Sequence, residues 1–325
     1  MTVARRGVWL LWLGLMCAPA FLSAQNAPRS ITVDDLLGQL RQETPTLWIE
    51  SFLEDRCVER GGTRDVQAAL AAAGAESSLL RVVAAIACQE EPEPVDPSIL
   101  GMGFGDEQFS LIPAGTFEMG SENGNSNERP VHTVTLTRSF YMQRTPVTQG
   151  QWREIMGENP SSFSDCGDTC PVGRVSWNDA QAFIQALNQR YPGRNYRLPT
   201  EAEWEHAARA GTTGDYGGTG VLDDMGWYSG NSGGRTHPVA LKQPNAFNLY
   251  DMHGNVWEWV QDWYSATYYS ISPGVDPTGP TTGSDRVLRG GSWSINAFYA
   301  RSALRINNTP SFRVSFYGFR LARTP

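Results

Sequence analysis

The sequence predicts an α+β protein in which a small helical domain precedes a larger, irregular domain of short strands and few helices. Three observations lead there. Apolar residues between positions 31 and 90 recur at intervals of three and four, the spacing of narrow helical faces. An acidic, proline-rich stretch at 91–105 cannot sustain a helix and reads as a linker. Beyond it, at 106–325, short β-type runs alternate with Gly- and Asn-rich turns. The whole 325-residue chain holds 33 Gly and 20 Pro with only 18% charged residues, a loop-rich composition.

Taken in order, residues 1–24 read as an export signal: Arg5 and Arg6, an apolar run over 8–16, then small residues at Ser23 and Ala24 suited to cleavage. The mature protein is expected to be secreted or periplasmic. Cys17 offers a lipoprotein alternative, but Met16 directly before it fits poorly the small residue that such processing prefers. No other apolar run approaches the ~20 residues needed to span a bilayer. The formal charge of −8, more negative still once Arg5 and Arg6 leave, argues against general nucleic-acid binding, which needs clustered Lys and Arg.

Four cysteines remain after the leader: Cys57, Cys88, Cys166 and Cys170. In an exported chain they suggest two disulfides, for which sequence alone allows three connectivities. Pairing Cys57 with Cys88 and Cys166 with Cys170 is the economical choice. A metal or redox role for Cys166 and Cys170 is the alternative, though no second cysteine pair or nearby histidine completes such a site.

Within 25–90 the apolar sets Leu36, Leu37 and Leu40; Leu47, Trp48 and Phe52; Val66, Ala69 and Leu70; and Leu79, Leu80, Val83 and Ile86 predict three or four short helices. A 57–88 bridge would staple so small a core. In the larger domain, 109–112 and 116–119 read as a hairpin around Pro113, Ala114 and Gly115, and 131–137 alternates as a half-buried strand. The segment 121–129 reads as a polar loop, with Glu118, Glu122 and Glu128 solvated. Thr148 with Gln151, and Thr200 with Glu203, have capping-box spacing, so helices should begin there. A third helix over 178–189 would turn Ala182, Phe183, Ala186 and Leu187 inward. Trp152, Trp177 and Trp204 read as core side chains. The four histidines share no metal-ligand spacing.

The densest stretch is 245–259, where Asp251 and Glu258 flank Gly254 among aromatics. Two readings stay open: a hard cation held between carboxylate and carbonyl oxygens, or a Trp-rich core turn whose carboxylates meet arginines.

Five ordered blocks carry a resemblance: IPAGTFEMG at 112–120, TPVT at 145–148, YRLPTEAEWE at 196–205, GNVWEW at 254–259 and RGGSW at 289–293. Together they make the larger domain resemble the formylglycine-generating-enzyme, or sulfatase-modifying-factor, family. The resemblance implies a C-type-lectin-like fold without settling activity. It also implies a structural calcium site at Asp251, Gly254, Val256 and Glu258, while a second family site lacks half of its ligands here. Active family members carry two cysteines in the tail that bind copper as thiolates; soft Cu(I) needs soft ligands, and 286–325 has neither Cys nor Met, so no copper is expected. Iron-dependent relatives draw a histidine triad from a helical partner domain. Residues 25–100 contain no histidine, so no iron is expected either.

The tail instead alternates fixed frame residues with Ser294, Ile295, Asn296, Phe298, Tyr299, Leu304, Ile306, Asn307, Phe312, Val314, Ser315, Phe316 and Tyr317. This pattern resembles the variable proteins of diversity-generating retroelements, in which template adenines are randomised; each of these residues can arise from an Asn codon that way. The resemblance implies an exported, non-catalytic protein whose tail binds a protein or cell-surface ligand, with Tyr and Phe giving contact area and Ser and Asn adaptable hydrogen bonds. The alternatives are a core role for Phe298, Tyr299, Phe312, Phe316 and Tyr317, and an enzyme of the superfamily acting on a peptide or metabolite without the copper-binding cysteines.

Overall fold

A computed structural model describes residues 29–31, 56–58, 96 and 99–324. The chain divides into two compact units, 1–93 and 94–325. Of the first, two short strands, β1 (Arg29–Ile31) and β2 (Arg56–Val58), pair in parallel. The export signal, the helices expected between 31 and 90 and the 57–88 disulfide fall outside the described residues.

The second unit carries twelve strands and four α-helices among its described residues. In order these are β3 (Phe109–Ile112), β4 (Gly115–Met119), β5 (His132–Leu136), β6 (Phe140–Gln143), α1 (Gln149–Met156), α2 (Trp177–Arg190), β7 (Tyr196–Arg197), α3 (Glu201–Arg209), α4 (Leu222–Met225), β8 (Gly226–Trp227), β9 (His253–Gly254), β10 (Trp257–Trp263), β11 (Arg286–Arg289), β12 (Arg305–Asn308), β13 (Tyr317–Gly318) and β14 (Ala322–Arg323). They form two four-stranded sheets, β12-β11-β10-β13 and β3-β6-β14-β7, with the β4-β5 and β8-β9 pairs beside them. Among the described residues no helix is long and apolar enough to cross a membrane.

The helices start where the sequence caps them. Thr148 Oγ1 accepts from Gln151 N while the Gln151 side chain accepts from Thr148 N, and Thr200 with Glu203 repeats the exchange. Ser176 and Asp179 supply a third such box, so α2 begins one residue earlier than expected. Its buried face is Ala180, Phe183, Ile184 and Leu187. Ala182 is exposed and Ala186 half-buried, because the apolar stripe follows the i, i+3, i+4, i+7 set that starts at Ala180.

Three further expectations change. The 109–112 and 116–119 runs are no hairpin: β3 pairs with β6 and β4 with β5, in different sheets, the prolyl turn serving as a crossing between them. The end of the expected linker is packed in place, with Leu100 and Phe104 buried and the Phe104 ring 6.0 Å from that of Phe183. Glu128 is not solvated but fully buried, for a reason that lies in the tail.

Two apolar cores result. One gathers Trp152, Phe183, Trp257, Trp259 and Phe319 around α1 and α2, with the Trp152 and Phe183 rings stacked at 5.2 Å. The other gathers Trp204, Met252, Val260 and Tyr269 around α3. Strand β10 runs between them, its first four residues buried on both faces. Asp262, near its end, is buried as well, and its carboxylate accepts from Glu201 N at 2.8 Å at the start of α3.

Burial, and then the neighbouring Glu201 charge, push the Asp262 carboxyl up to about 8. The folded state thus holds a proton that the unfolded chain releases near pH 4, so this contribution is complete below that pH and is lost as pH rises through 8. Denaturant titrations between pH 4 and 8 should show wild type losing stability relative to Asp262→Asn, by up to about 1.4 kcal/mol per pH unit. Parallel pH profiles for the two proteins would contradict the assignment.

Candidate functional site

The chain from β11 onward forms a tail fastened at intervals into the body. Gly290 and Gly291 take φ of 92° and 79°, and a Cβ on Gly291 would come within 2.9 Å of Ala300 Cα, so only glycine lets the chain leave β11 beneath the tail. Four arginines then act as fasteners, each aimed inward at a glutamate of the body. Arg289 meets Glu205 and also donates to the carbonyls of Ser302, Ala303 and Leu304. Arg301 grips both oxygens of Glu128, at 2.9 and 2.8 Å. Arg305 binds Glu201 through Nε and Nη2, at 2.7 and 2.5 Å, and Arg320 binds Glu258 likewise, at 2.7 and 2.8 Å.

All eight side chains are buried. Glu201 and Glu205 lie one turn apart on α3, so a single capped helix presents two of the four carboxylates. Burial works against charge at Glu205, yet Arg289 and Arg209 hold its carboxyl below the usual range. Of these four glutamates only Glu258 was expected to meet an arginine, and Glu128 was expected in solvent. The signal was the spacing of Asn125 and Glu128, which form a capping box on a 3-10 turn.

Between these fasteners the tail faces outward. Ser294, Asn296, Phe298, Tyr299 and Phe312 are exposed, and Ile295, Ile306, Asn307, Val314, Ser315 and Phe316 are half-buried. Leu304 and Tyr317 do not belong to this set: both are buried, Leu304 between two fastening arginines and Tyr317 on β13 with its ring edge-on to Trp259 at 5.2 Å. A chain of ring contacts runs from Phe163 through Trp293 and Phe316 to Tyr317 and Phe312, at centroid separations of 5.2 to 6.3 Å. Phe298 and Tyr299 stand apart on a 3-10 turn beside Arg301, whose guanidinium lies 4.1 Å from the Phe298 ring centre. Cys166 and Cys170 are disulfide-bonded in the loop that carries Phe163.

At one end of the 251–258 stretch a carboxylate meets an arginine, as the second of its two readings expects. Glu258 meets Arg320 and accepts from Trp204 Nε1 at 2.7 Å, so its charge is answered within the protein. Asp251 is different. It is buried with φ of 55°, accepts from Ala240 N at 2.9 Å and Asn255 Nδ2 at 3.2 Å, and has no cationic partner in contact among the described residues. Burial pushes its carboxyl up to about 6, with Arg320 acting against the rise. Gly254 between them is obligatory, because a Cβ would meet the Trp227 carbonyl. The donor set therefore suits a hard cation at its Asp251 end, while Glu258 would have to share its oxygens with Arg320. Among the described residues no group of three or more His, Cys, Asp and Glu side chains comes together as a metal cluster.

Residues 105–325 match the sulfatase-modifying factor enzyme 1-like domain. A formylglycine-generating enzyme of Streptomyces coelicolor is 35% identical over 282 residues, spanning 65% of this chain and 87% of that relative. Among solved structures, Treponema denticola variable protein 1 aligns with a TM-score of 0.61 at 35% identity, over 67% of this chain and 95% of its own. PvdO from Pseudomonas aeruginosa aligns with a TM-score of 0.60 at 30% identity, over 67% and 94%. The α+β domain has the irregular, C-type-lectin-like fold of these proteins.

Division of the tail into fasteners and outward residues has a measurable consequence in urea unfolding. Arg301→Met, which leaves the buried Glu128 carboxylate without its ion-pair partner, should cost about 3–5 kcal/mol, and Leu304→Ala about 2–5 kcal/mol. Phe312→Ser should cost less than about 1 kcal/mol. A Phe312→Ser penalty as large as that of Leu304→Ala would refute the division.

Proposed function

The chain belongs to the sulfatase-modifying factor enzyme 1-like family, and from that premise we propose that it is an exported, non-catalytic ligand-binding protein whose C-terminal tail is a diversified recognition surface. The observation that carries this reading is the separation just described. Arg289, Arg301, Arg305 and Arg320 fix the tail from within, while Ser294, Asn296, Phe298, Tyr299 and Phe312 look outward; among these Asn296 caps its own 3-10 turn, Phe298 lies on Arg301 and Phe312 touches Tyr317. Such a surface can change its residues without losing its backbone. The likeness to a protein named a variable protein supports the same reading. A protein or cell-surface ligand fits a face of aromatic and small polar side chains better than a small molecule does, because these groups are spread along the tail rather than gathered in a cleft.

The identity to a formylglycine-generating enzyme favours a second reading, an enzyme acting on a peptide or metabolite. Against copper-dependent oxidation stands the chain's own chemistry: its last cysteine is Cys170, which is disulfide-bonded, so the tail offers no thiolate for Cu(I). Calcium enters the proposal in a structural role, with Asp251 as the charged ligand, the carbonyls of Gly254 and Val256 beside it in sequence, and Glu258 shared with Arg320. Its charge would offset the buried Asp251 carboxylate.

Two measurements test these points. A library randomised at the five outward positions should yield folded variants that select different ligands, each with a thermal midpoint within a few degrees of wild type; a library that mostly fails to fold would overturn the recognition reading. A cysteine-containing peptide incubated with the protein and Cu(I) should gain no aldehyde, and aldehyde formation would establish the enzymatic alternative. Calcium at about a hundredfold over its dissociation constant should stabilise wild type by about 2.7 kcal/mol and leave Asp251→Ala unaffected, whereas a wild type indifferent to calcium would remove the ion.

A further inference from the structure

A cleft of about 710 Å³ lies beside β4. Strand β4 and the loop that follows it form one wall, and the C-terminal end of α3 with the segment 211–215 forms the other. Its size falls within the ~300–1,000 Å³ usual for ligand sites.

The register of the β4-β5 pair decides which way the β4 backbone points. In an antiparallel ladder, residues that bond to the partner strand alternate with residues whose N–H and C=O point away from it. Thr135 of β5 points away from β4, since its N–H donates to Gly274 O at 2.8 Å and its C=O accepts from Asp276 N at 3.0 Å. Thr116, its ladder partner, therefore points away from β5, and so does Glu118 two residues on. Gly120 follows the same alternation: its N–H donates to Glu205 Oε1 and its C=O accepts from Arg209 Nη2, each at 2.9 Å, both partners lying on α3. The backbone groups of Thr116 and Glu118, by contrast, have no partner among the described residues, and both residues line the cleft. The outer edge of β4 is thus closed by side chains at Gly120 and open along the cleft.

Free charge in the cleft is of one sign. Glu118, Glu122 and Asp215 stand exposed in its walls. Arg129 Nε comes to 4.0 Å from Glu122, and Glu118 accepts only from the neutral Thr133 hydroxyl. Arg209 adds no free cation, because Glu205 and the carbonyls of Gly120 and Gly214 engage it. Burial pulls the His206 imidazole below its ordinary range, so it is neutral at pH 7. Phe117, its ring 5.1 Å from that of His206, adds apolar surface.

We propose that this cleft binds an extended, basic peptide segment of a partner protein, which joins the β4-β5 pair as a third strand along the open edge of β4. The peptide backbone bonds to the N–H and C=O groups of Thr116 and Glu118, and its Lys or Arg side chains meet Glu118, Glu122 and Asp215. Main-chain bonds supply affinity and the acidic walls select charge. The bound stretch is short, roughly three to five residues at about 3.4 Å each, because the edge closes at Gly120. The chain's own linker does not suit the cleft: Glu90, Glu91 and Glu93 carry the wrong charge, and its prolines lack the N–H that a ladder needs. None of the five outward tail residues lines the cleft, so this site is separate from the recognition surface proposed above.

The test combines titration and amide hydrogen exchange on the full-length protein, with an acetylated and amidated Val-Lys-Val-Lys-Val peptide as probe. In the free protein the Thr116 and Glu118 amides should exchange faster than those of Phe117 and Met119, which bond to β5. The peptide should bind saturably and slow the Thr116 and Glu118 amides at least about tenfold. Its counterpart methylated on every backbone nitrogen, and a Val-Glu-Val-Glu-Val peptide, should each bind at least about tenfold more weakly. Glu118→Lys should weaken the lysine peptide by a similar factor while Phe117 and Met119 exchange as in wild type, showing that the strand is intact. No saturable binding, equal binding of the methylated or the glutamate peptide, or slowing at amides other than those of β4 overturns the proposal. Phe312→Ser should bind the lysine peptide as wild type does, so failure of the tail to select ligands would be recognised separately.

Discussion

Everything distinctive in this domain depends on buried arginine–glutamate pairs that join the tail to the body. Taking such charges out of water is costly, and their mutual attraction offsets that cost only when geometry is good and the remaining donors are satisfied. Here they are. Arg289 has three carbonyl acceptors besides Glu205, and Arg320 reaches Tyr250 O at 2.9 Å besides Glu258. Replacing a pair with apolar side chains could give equal stability, but it could not give equal direction. A guanidinium fork accepts one orientation of its carboxylate, so each pair sets where one point of the tail must lie.

That constraint explains how a segment with little regular secondary structure keeps a defined path. Strands β11 to β14 contribute only two to four residues each, too few to hold a chain by ladder bonds alone. The pairs supply the missing registration. Glu258 lies opposite Arg289 in the β10-β11 ladder and opposite Gly318 in the β10-β13 ladder, so one carboxylate position relates both ends of the tail. The β14 strand then closes against β6 and β7, which returns the chain end to the start of the domain.

Local chemistry was legible in the sequence, and pairing over distance was not. Capping boxes at Thr148 and Thr200 announced their helices because both partners of each bond lie within three residues. The alternation at 131–137 gave β5 for the same reason, with Val134 and Leu136 buried and Thr133 exposed. The supposed hairpin failed because Pro113, Ala114 and Gly115 look like a turn whichever strands they join; the true partner of β3 lies beyond β5. Glu128 looked solvated because its partner, Arg301, is 173 residues away. In the tail, Leu304 and Tyr317 pass any test of codon and residue type that Phe312 passes. Only their position between inward arginines, or beside Trp259, assigns them to the core. The 251–258 stretch kept two readings because its carboxylates differ: Glu258 had an arginine waiting near the chain end, and Asp251 has none in contact among the described residues.

Arg286 marks the limit of the same logic. An arginine fastened to glutamate is spent on structure, since its charge and most of its donors are answered within the fold. Arg286 lies instead between the indoles of Trp177 and Trp263, 3.9 and 3.4 Å from its guanidinium carbon, and an aromatic face attracts the cation without accepting a directed hydrogen bond in the plane of the guanidinium. The tail keeps its path because Arg289, Arg305 and Arg320 take their positions from the body, and only Arg301 also leans on an outward residue, donating from Nε to Phe298 O and lying over its ring.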